Sequence, residues 1–263
     1  MDAIVTAGGT PAPEDLLYPY TLGAPKALLD VAGKPMIQWV LDALSQSAQV
    51  EHVVVIGLTA GSGVTCSKAL DFIPDQGAML DNIRAGARRV LEMNPAAQHA
   101  LVVASDIPSI TGESVDWVVN EVLKSDADLH YNVITRQVME ARFPGSRRSY
   151  TKLKDAEVCG GDLNAIRCAM ALDTHSIWDE IIATRKNVLK QAALIGYDTL
   201  VLLLLRAITI EQAVERVTKR LNLTGKALVC PYAELGMDVD KPNQLEMLRA
   251  DLSKRQAGAA QAA

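Results

Sequence analysis

Along the first half of the chain, continuous β-branched apolar runs alternate with segments whose apolar residues recur at spacings of three and four. The runs are residues 3–7 (AIVTA), 52–57 (HVVVIG) and 100–106 (ALVVASD), and the segments between and after them are residues 35–47, 78–94 and 113–125. Val115, Val118, Val119 and Val122 show the helical spacing, which gathers them into one stripe. An unbroken apolar run instead describes a strand buried on both faces. Alternation of this kind predicts an α/β domain with helices on both faces of a mainly parallel sheet. Ligands of such sheets bind beyond the carboxyl ends of the strands, where Gly8, Gly57 and Asp106 fall.

From residue 126 the alternation weakens. Residues 129–134 (LHYNVI) read as a strand, 136–155 as a polar excursion, and 157–168 (EVCGGDLNAIRC) as a strand with a glycine break. Residues 176–196 and 209–222 read as helices, the second opening with Thr209 as N-cap and Gln212 three residues on, the pattern of a capping box. Residues 199–207 (TLVLLLLRA) fit a buried helix or a buried strand, and the helix propensity of leucine favours the helix. A last strand at 226–232, a closing helix at 244–255 and a frayed tail at 256–263 complete the pattern. No linker or internal repeat interrupts it, so one domain over residues 1–255 is expected, with residues 129–222 as insertions on the acceptor side described below.

Composition narrows the partners. The 263 residues carry a net charge of −5, which favours neither a nucleic-acid surface nor an anionic membrane. The start, MDAIVTAGG, lacks the features of a signal peptide, and no apolar run reaches the ~20 residues a bilayer needs. A cytoplasmic protein without nucleic-acid or membrane partners is expected. Cys66, Cys159, Cys168 and Cys230 form no C-x-x-C pair and the four histidines do not cluster, so free thiols are expected rather than zinc or disulfides.

Candidate chemistry lies at three places. AGGT follows the first strand, and side-chain-free residues there let consecutive N–H groups approach an anion, although a strand-end Gly-Gly also serves as a plain tight turn. Residues 10–25 hold Pro11, Pro13, Pro19, Pro25, Glu14 and Asp15 and no basic residue, which leaves Lys26 as the cation able to meet a phosphate. Asp106 at the exit of a strand is either a turn former or a hard oxygen ligand for Mg²⁺. Asp238 and Asp240 in LGMDVDKPNQLEML stand two apart on an extended segment, as solvated acids or as further ligands.

These stretches carry a resemblance. AGGT…PYTLGAPKALLDVAGKPMIQWVLDAL is similar to the opening of the GT-A-like nucleotidyltransferase superfamily, with its MobA-like and sugar-1-phosphate nucleotidylyltransferase members; SDIP and DVDKPNQLEML resemble the family's metal motif and closing motif. The resemblance implies a three-layer α/β/α sandwich with a mainly parallel, mixed central sheet. It implies that Ala7, Gly8, Gly9 and Thr10 lie along a nucleotide, that Lys26 contacts its phosphates, and that Asp106 and Asp240 bind Mg²⁺, with Asp238 a neighbour or alternative ligand. Lys26 and Asp106 are then the catalytic candidates. Gln76, Gly77 and Asn82 fall where the family recognises the base, and Gly161 and Asn164 where it meets the acceptor. Apart from the resemblance, Arg147 and Arg148, in a basic run with Arg136, Arg142, Lys152 and Lys154, form either a solvated hairpin or a dock for an acceptor phosphate. One departure is plain: family members commonly carry an arginine shortly after the glycines, and residues 10–25 contain none. The implied activity is transfer of a nucleoside monophosphate from an NTP to a small phosphorylated acceptor, with a homodimer also compatible. A non-catalytic nucleotide-binding domain and a GT-A glycosyltransferase are the alternatives.

Overall fold

The structure, a computed structural model, describes residues 1–172 and 197–262. In chain order its principal elements are β1 (Asp2–Thr6), α1 (Tyr18–Thr21), β2 (Asp30–Val31), β3 (Lys34–Pro35), α2 (Met36–Gln46), β4 (His52–Ile56), β5 (Ala69–Ile73), α3 (Met79–Met93), β6 (His99–Ala104) and α4 (Gly112–Val122). There follow β7 (Leu129–Thr135), α5 (Arg136–Arg142), β8 (Thr151–Lys152), β9 (Glu157–Gly160), β10 (Leu163–Arg167), α6 (Cys168–Ala171), α7 (Tyr197–Leu204), α8 (Ile210–Arg220), β11 (Gly225–Val229) and α9 (Pro242–Ala262). The helix expected over residues 176–196 lies outside the described residues.

Alternation along β1 explains the layers. Ala3 and Val5 point into a core shared with α2, α4 and α9, whereas Ile4 points into a second core with α3 and α6. β4 divides in the same way, Val53 and Val55 against Val54 and Ile56. A strand buried on both faces needs apolar residues at every position, which is the continuous run seen in the sequence. β5, β4, β1 and β6 lie side by side and parallel. β10 then runs antiparallel to both β6 and β7, while β11 is parallel to β7. The result is a mixed sheet flanked by helices, as expected.

The glycine break at residues 157–168 is a bulge. β9 and β10 both run antiparallel to β7, Gly160 opposite Val133 and Ala165 opposite His130, so more residues lie on this side of the ladder than on the other. Gly161 and Asp162 are the surplus. Asp162 is held out of the ladder by its own N–H on the Leu235 carbonyl (2.7 Å) and by the Ala104 N–H on its carbonyl (2.8 Å).

Two boundaries differ from expectation. Residues 136–142, expected as polar excursion, form α5, capped by the Thr135 hydroxyl, which accepts from Val138 N–H. Its single buried side chain, Met139, is too sparse an apolar signal to show helical periodicity. α9 continues through residues expected to fray, because its end is rich in alanine, the best helix former, and holds no proline, which outweighs Gly258. Residues 197–204 are helical, the favoured of the two alternatives, and Thr209 with Gln212 forms the expected capping box on α8. The four cysteines are free, three of them buried.

α3 approaches the sheet through Gly86, where a Cβ would lie 2.4 Å from Ile4 Cγ2. Gly86→Ala is therefore expected to destabilise the protein by about 1–3 kcal/mol through overpacking, seen as a lower thermal midpoint. An unchanged midpoint would mean that α3 rests farther from β1.

Candidate functional site

The turn after β1 is shaped by close backbone approach. Gly57 has φ +100°, and a Cβ on it would lie 2.3 Å from the backbone of Gly8, so the ends of β1 and β4 can meet only with glycine there. On its other side Gly8 faces Asp75, whose Oδ1 would lie 2.4 Å from a Gly8 Cβ. Asp75 is held by Asn82 Nδ2 (2.7 Å), and Asn82 Oδ1 accepts the Gln76 N–H (2.7 Å). Gln76 turns its side-chain amide onto the Pro74 carbonyl (2.6 Å), and Gly77 adopts φ +84°. Asn82, buried, thus braces the 75–77 loop against the glycine turn from within. Ala7 is buried, and Gly9 and Thr10 are exposed at the mouth of the turn.

The far end of the proline loop returns to the same turn. Lys26 N–H donates to the Gly9 carbonyl at 2.9 Å, so the glycines and the lysine are joined by backbone. From there the ammonium reaches two carboxylates, Asp106 Oδ2 at 2.7 Å and Asp240 Oδ1 at 2.8 Å. Burial disfavours the charged lysine, but the charges and hydrogen bonds of Asp106 and then Asp240 outweigh it and hold its pKa above the usual value. The two acid segments are themselves tied: Val239 N–H donates to the Asp106 carbonyl (3.0 Å), and the buried Gln244 side chain accepts the Asp240 N–H (3.0 Å).

A second group of charges lies beside the first. Arg148 pairs with Asp238 and stands 3.9 Å from Asp162. The Asp162 pKa is pushed up to about 7, by burial first and then by the Asp106 charge, with Arg148 acting against it. Asp238 is buried and committed to Arg148, whereas Asp240 is the one turned to Lys26. Alternation along the segment does not put the two acids on the same cation.

The remaining expectations separate. Asn164 closes the bulge, its Oδ1 accepting from Asn132 N–H and its Nδ2 donating to the Gly161 carbonyl, both at 2.8 Å. Gly161 packs on Asn132, where a Cβ would lie 2.9 Å from its Cβ. Both are therefore parts of the sheet, and their neighbour Asp162, which no spacing marked, is the one that meets the acid cluster. The basic run disperses: Arg136 pairs with Glu157 (2.9 Å), Arg142 pairs with Asp251 and Glu234 (2.8 Å each), and Lys152 stands 3.6 Å from Glu157. Arg147 is exposed with φ +56° in the turn after Gly145. The turn amides can receive an anion and the paired carboxylates can hold a cation, side by side at the carboxyl ends of parallel strands.

Residues 20–222 match a family model described as MobA-like NTP transferase domain. A hypothetical transferase from Thermus thermophilus is 32% identical in sequence, with 93% of this chain and 98% of that one covered and a TM-score of 0.80. CMP:2-keto-3-deoxy-manno-octonic acid synthetase, solved with CTP, is 16% identical over 97% of this chain and 99% of that one, with a TM-score of 0.58. A 4-diphosphocytidyl-2C-methyl-D-erythritol synthase from Anaerococcus prevotii is 10% identical over 95% of each chain, with a TM-score of 0.56. These last two share the fold. No curated protein sequence matches the chain. Among the described residues no helix is long and apolar enough to cross a membrane.

The raised Asp162 pKa sets a pH dependence. In the folded chain this carboxyl keeps its proton up to about 7, whereas in the unfolded chain it ionises near the ordinary carboxylate value of about 4. The folded state therefore loses relative stability as pH rises through that window. Asp162→Asn, which cannot ionise, is expected to gain in thermal midpoint over the parent between pH 4 and pH 8, measured with chelator present. A difference that stays constant across this range would show that Asp162 does not titrate there.

Proposed function

The chain belongs to the MobA-like NTP transferase family, and from that premise we propose that it transfers a nucleoside monophosphate from an NTP to a small phosphorylated acceptor. The observation that carries this reading is the Lys26 ammonium shared by Asp106 and Asp240 next to the glycine turn. A cation-holding pair of carboxylates beside an anion-receiving turn suits a triphosphate and its metal.

The donor set fits Mg²⁺. Two carboxylates already converge on one cation, and Mg²⁺ binds through one or two carboxylates, substrate phosphates and water. Asp106 and Asp240 would hold it, and when bound it supplies charge neutralisation on the phosphate oxygens.

The chain's own groups do the orienting. Gly9 leaves room for backbone approach to the phosphates, and Lys26, anchored through its own N–H to Gly9, presents its ammonium at that place. An acceptor phosphate oxygen attacks the α-phosphorus in line; the new O–P bond forms as the bond to the bridging oxygen breaks, and the electron pair leaves with pyrophosphate. An anionic phosphate nucleophile carries no proton that must be removed, so no general base is required. Rate then comes from position and placed charge.

A second reading, nucleotide binding without turnover, rests on the absence of any arginine or lysine from residues 10–25. Pyrophosphate release measured with each of the four common NTPs, Mg²⁺ and a panel of phosphorylated acceptors separates the two. Asp106→Asn and Lys26→Ala are each expected to lower turnover by about 10²-fold or more with an unchanged circular dichroism spectrum. Turnover at the parent rate in Asp106→Asn would overturn the metal assignment, and NTP binding that ignores Mg²⁺ would favour the second reading.

A further inference from the structure

On the α3 face of the sheet lies a cavity of about 230 Å³. Leu80 and Ile83 of α3, Val102 of β6, Leu129 and Tyr131 of β7 and Ile166 of β10 form most of its wall. The polar side chains at its edge have work within the protein: the Asn164 amide closes the bulge, and Arg84 stands 3.6 Å from Asp81. A polyol or a sugar entering here would leave its hydroxyls without partners, at a cost of roughly 1–3 kcal/mol each. A hydrocarbon would not.

Three connections join the cavity to the reaction site. Tyr131 lies along its wall while its hydroxyl reaches over Gly160, where a Cβ would lie 2.2 Å from that oxygen, and the charges of Asp162 and Arg148 act on the same hydroxyl. Asn164, at the edge, is two residues from Asp162 and hydrogen-bonds across the bulge. Met79 and Leu80, at the start of α3, follow directly on the 75–77 loop that is braced against Gly8. Tyr131, Asn164 and the start of α3 thus link the cavity to the acids on one side and to the phosphate turn on the other.

We infer that the acceptor is amphiphilic: a phosphate monoester whose phosphate lies at the Lys26–Asp106 cluster and whose hydrocarbon part occupies this cavity. The inference rests on the nucleotidyl-transfer reading for the role of the phosphate. A dry cavity of about 150 Å³ takes a benzene ring, so by proportion this one takes a group of about nine carbons.

A series of n-alkyl monophosphates, from ethyl to decyl, titrated calorimetrically into the full chain tests this, with and without saturating NTP and Mg²⁺. Affinity is expected to rise by up to about fourfold per methylene, the gain for a fully buried CH₂, and to level off near the length that fills the cavity. Ile83→Asn, on the cavity wall and outside the phosphate site, is expected to flatten that slope and leave NTP affinity unchanged. Affinity independent of chain length in the parent protein would overturn the inference, as would displacement of the NTP by the longer alkyl phosphates, which would give the cavity to the base. Absence of NTP binding would defeat the transfer reading by itself, and the slope measured without nucleotide would still decide the cavity.

Discussion

One ammonium between two carboxylates holds the site together. Lys26 reaches Asp106 and Asp240, residues 80 and 214 positions away in the chain. Three segments that are independent in sequence thus meet at one point, and each is positioned by backbone rather than by the ion pair alone. Gly9 receives the Lys26 N–H, the Asp106 carbonyl receives that of Val239, and Gln244 receives that of Asp240. Lys26 and Asp106 are mostly covered while Asp240 is open to solvent, so the arrangement reads as charge placed within reach of a ligand.

The site is short of positive charge. Asp106, Asp162, Asp238 and Asp240 gather around Lys26 and Arg148, and the half-buried Asp162 bears the raised pKa, through burial first and the Asp106 charge second. Crowded carboxylates favour either a proton or an added cation. The bulge at Gly161 is what brings Asp162 into this company, because two residues outside the ladder carry the chain across to the end of β6. A hydrocarbon-lined cavity linked to this polar group through Tyr131 offers a contrasting apolar half, which is the form expected of a pocket for a ligand with a charged head and an apolar body.

The legible parts of the sequence were those with a local physical cause. β1, β4 and β6 showed as unbroken apolar runs because both faces of the sheet are covered, and Thr209 with Gln212 showed as a cap because both partners lie within one turn. The glycines at the end of β1, Lys26, Asp106 and Asp240 were legible as candidates through their place at strand ends and through resemblance to a family. α5 was not, since a short polar helix that buries one methionine leaves no periodic trace. Asn82 and Asn164 looked like groups free to face a ligand, and nothing in their spacing indicated that their amides brace a loop and a bulge.

By itself the sequence determined the layers, the caps, the turn at Gly8 and Gly9 and the identity of the residues that could carry charge. Only the tertiary structure decided which charges meet: Arg148 with Asp238, Arg142 with Asp251, Arg136 with Glu157, and Lys26 with both Asp106 and Asp240. The reason is physical. Periodicity and capping act between neighbours in the chain, whereas an ion pair depends on distance in space, which is known only once the strands have taken their order.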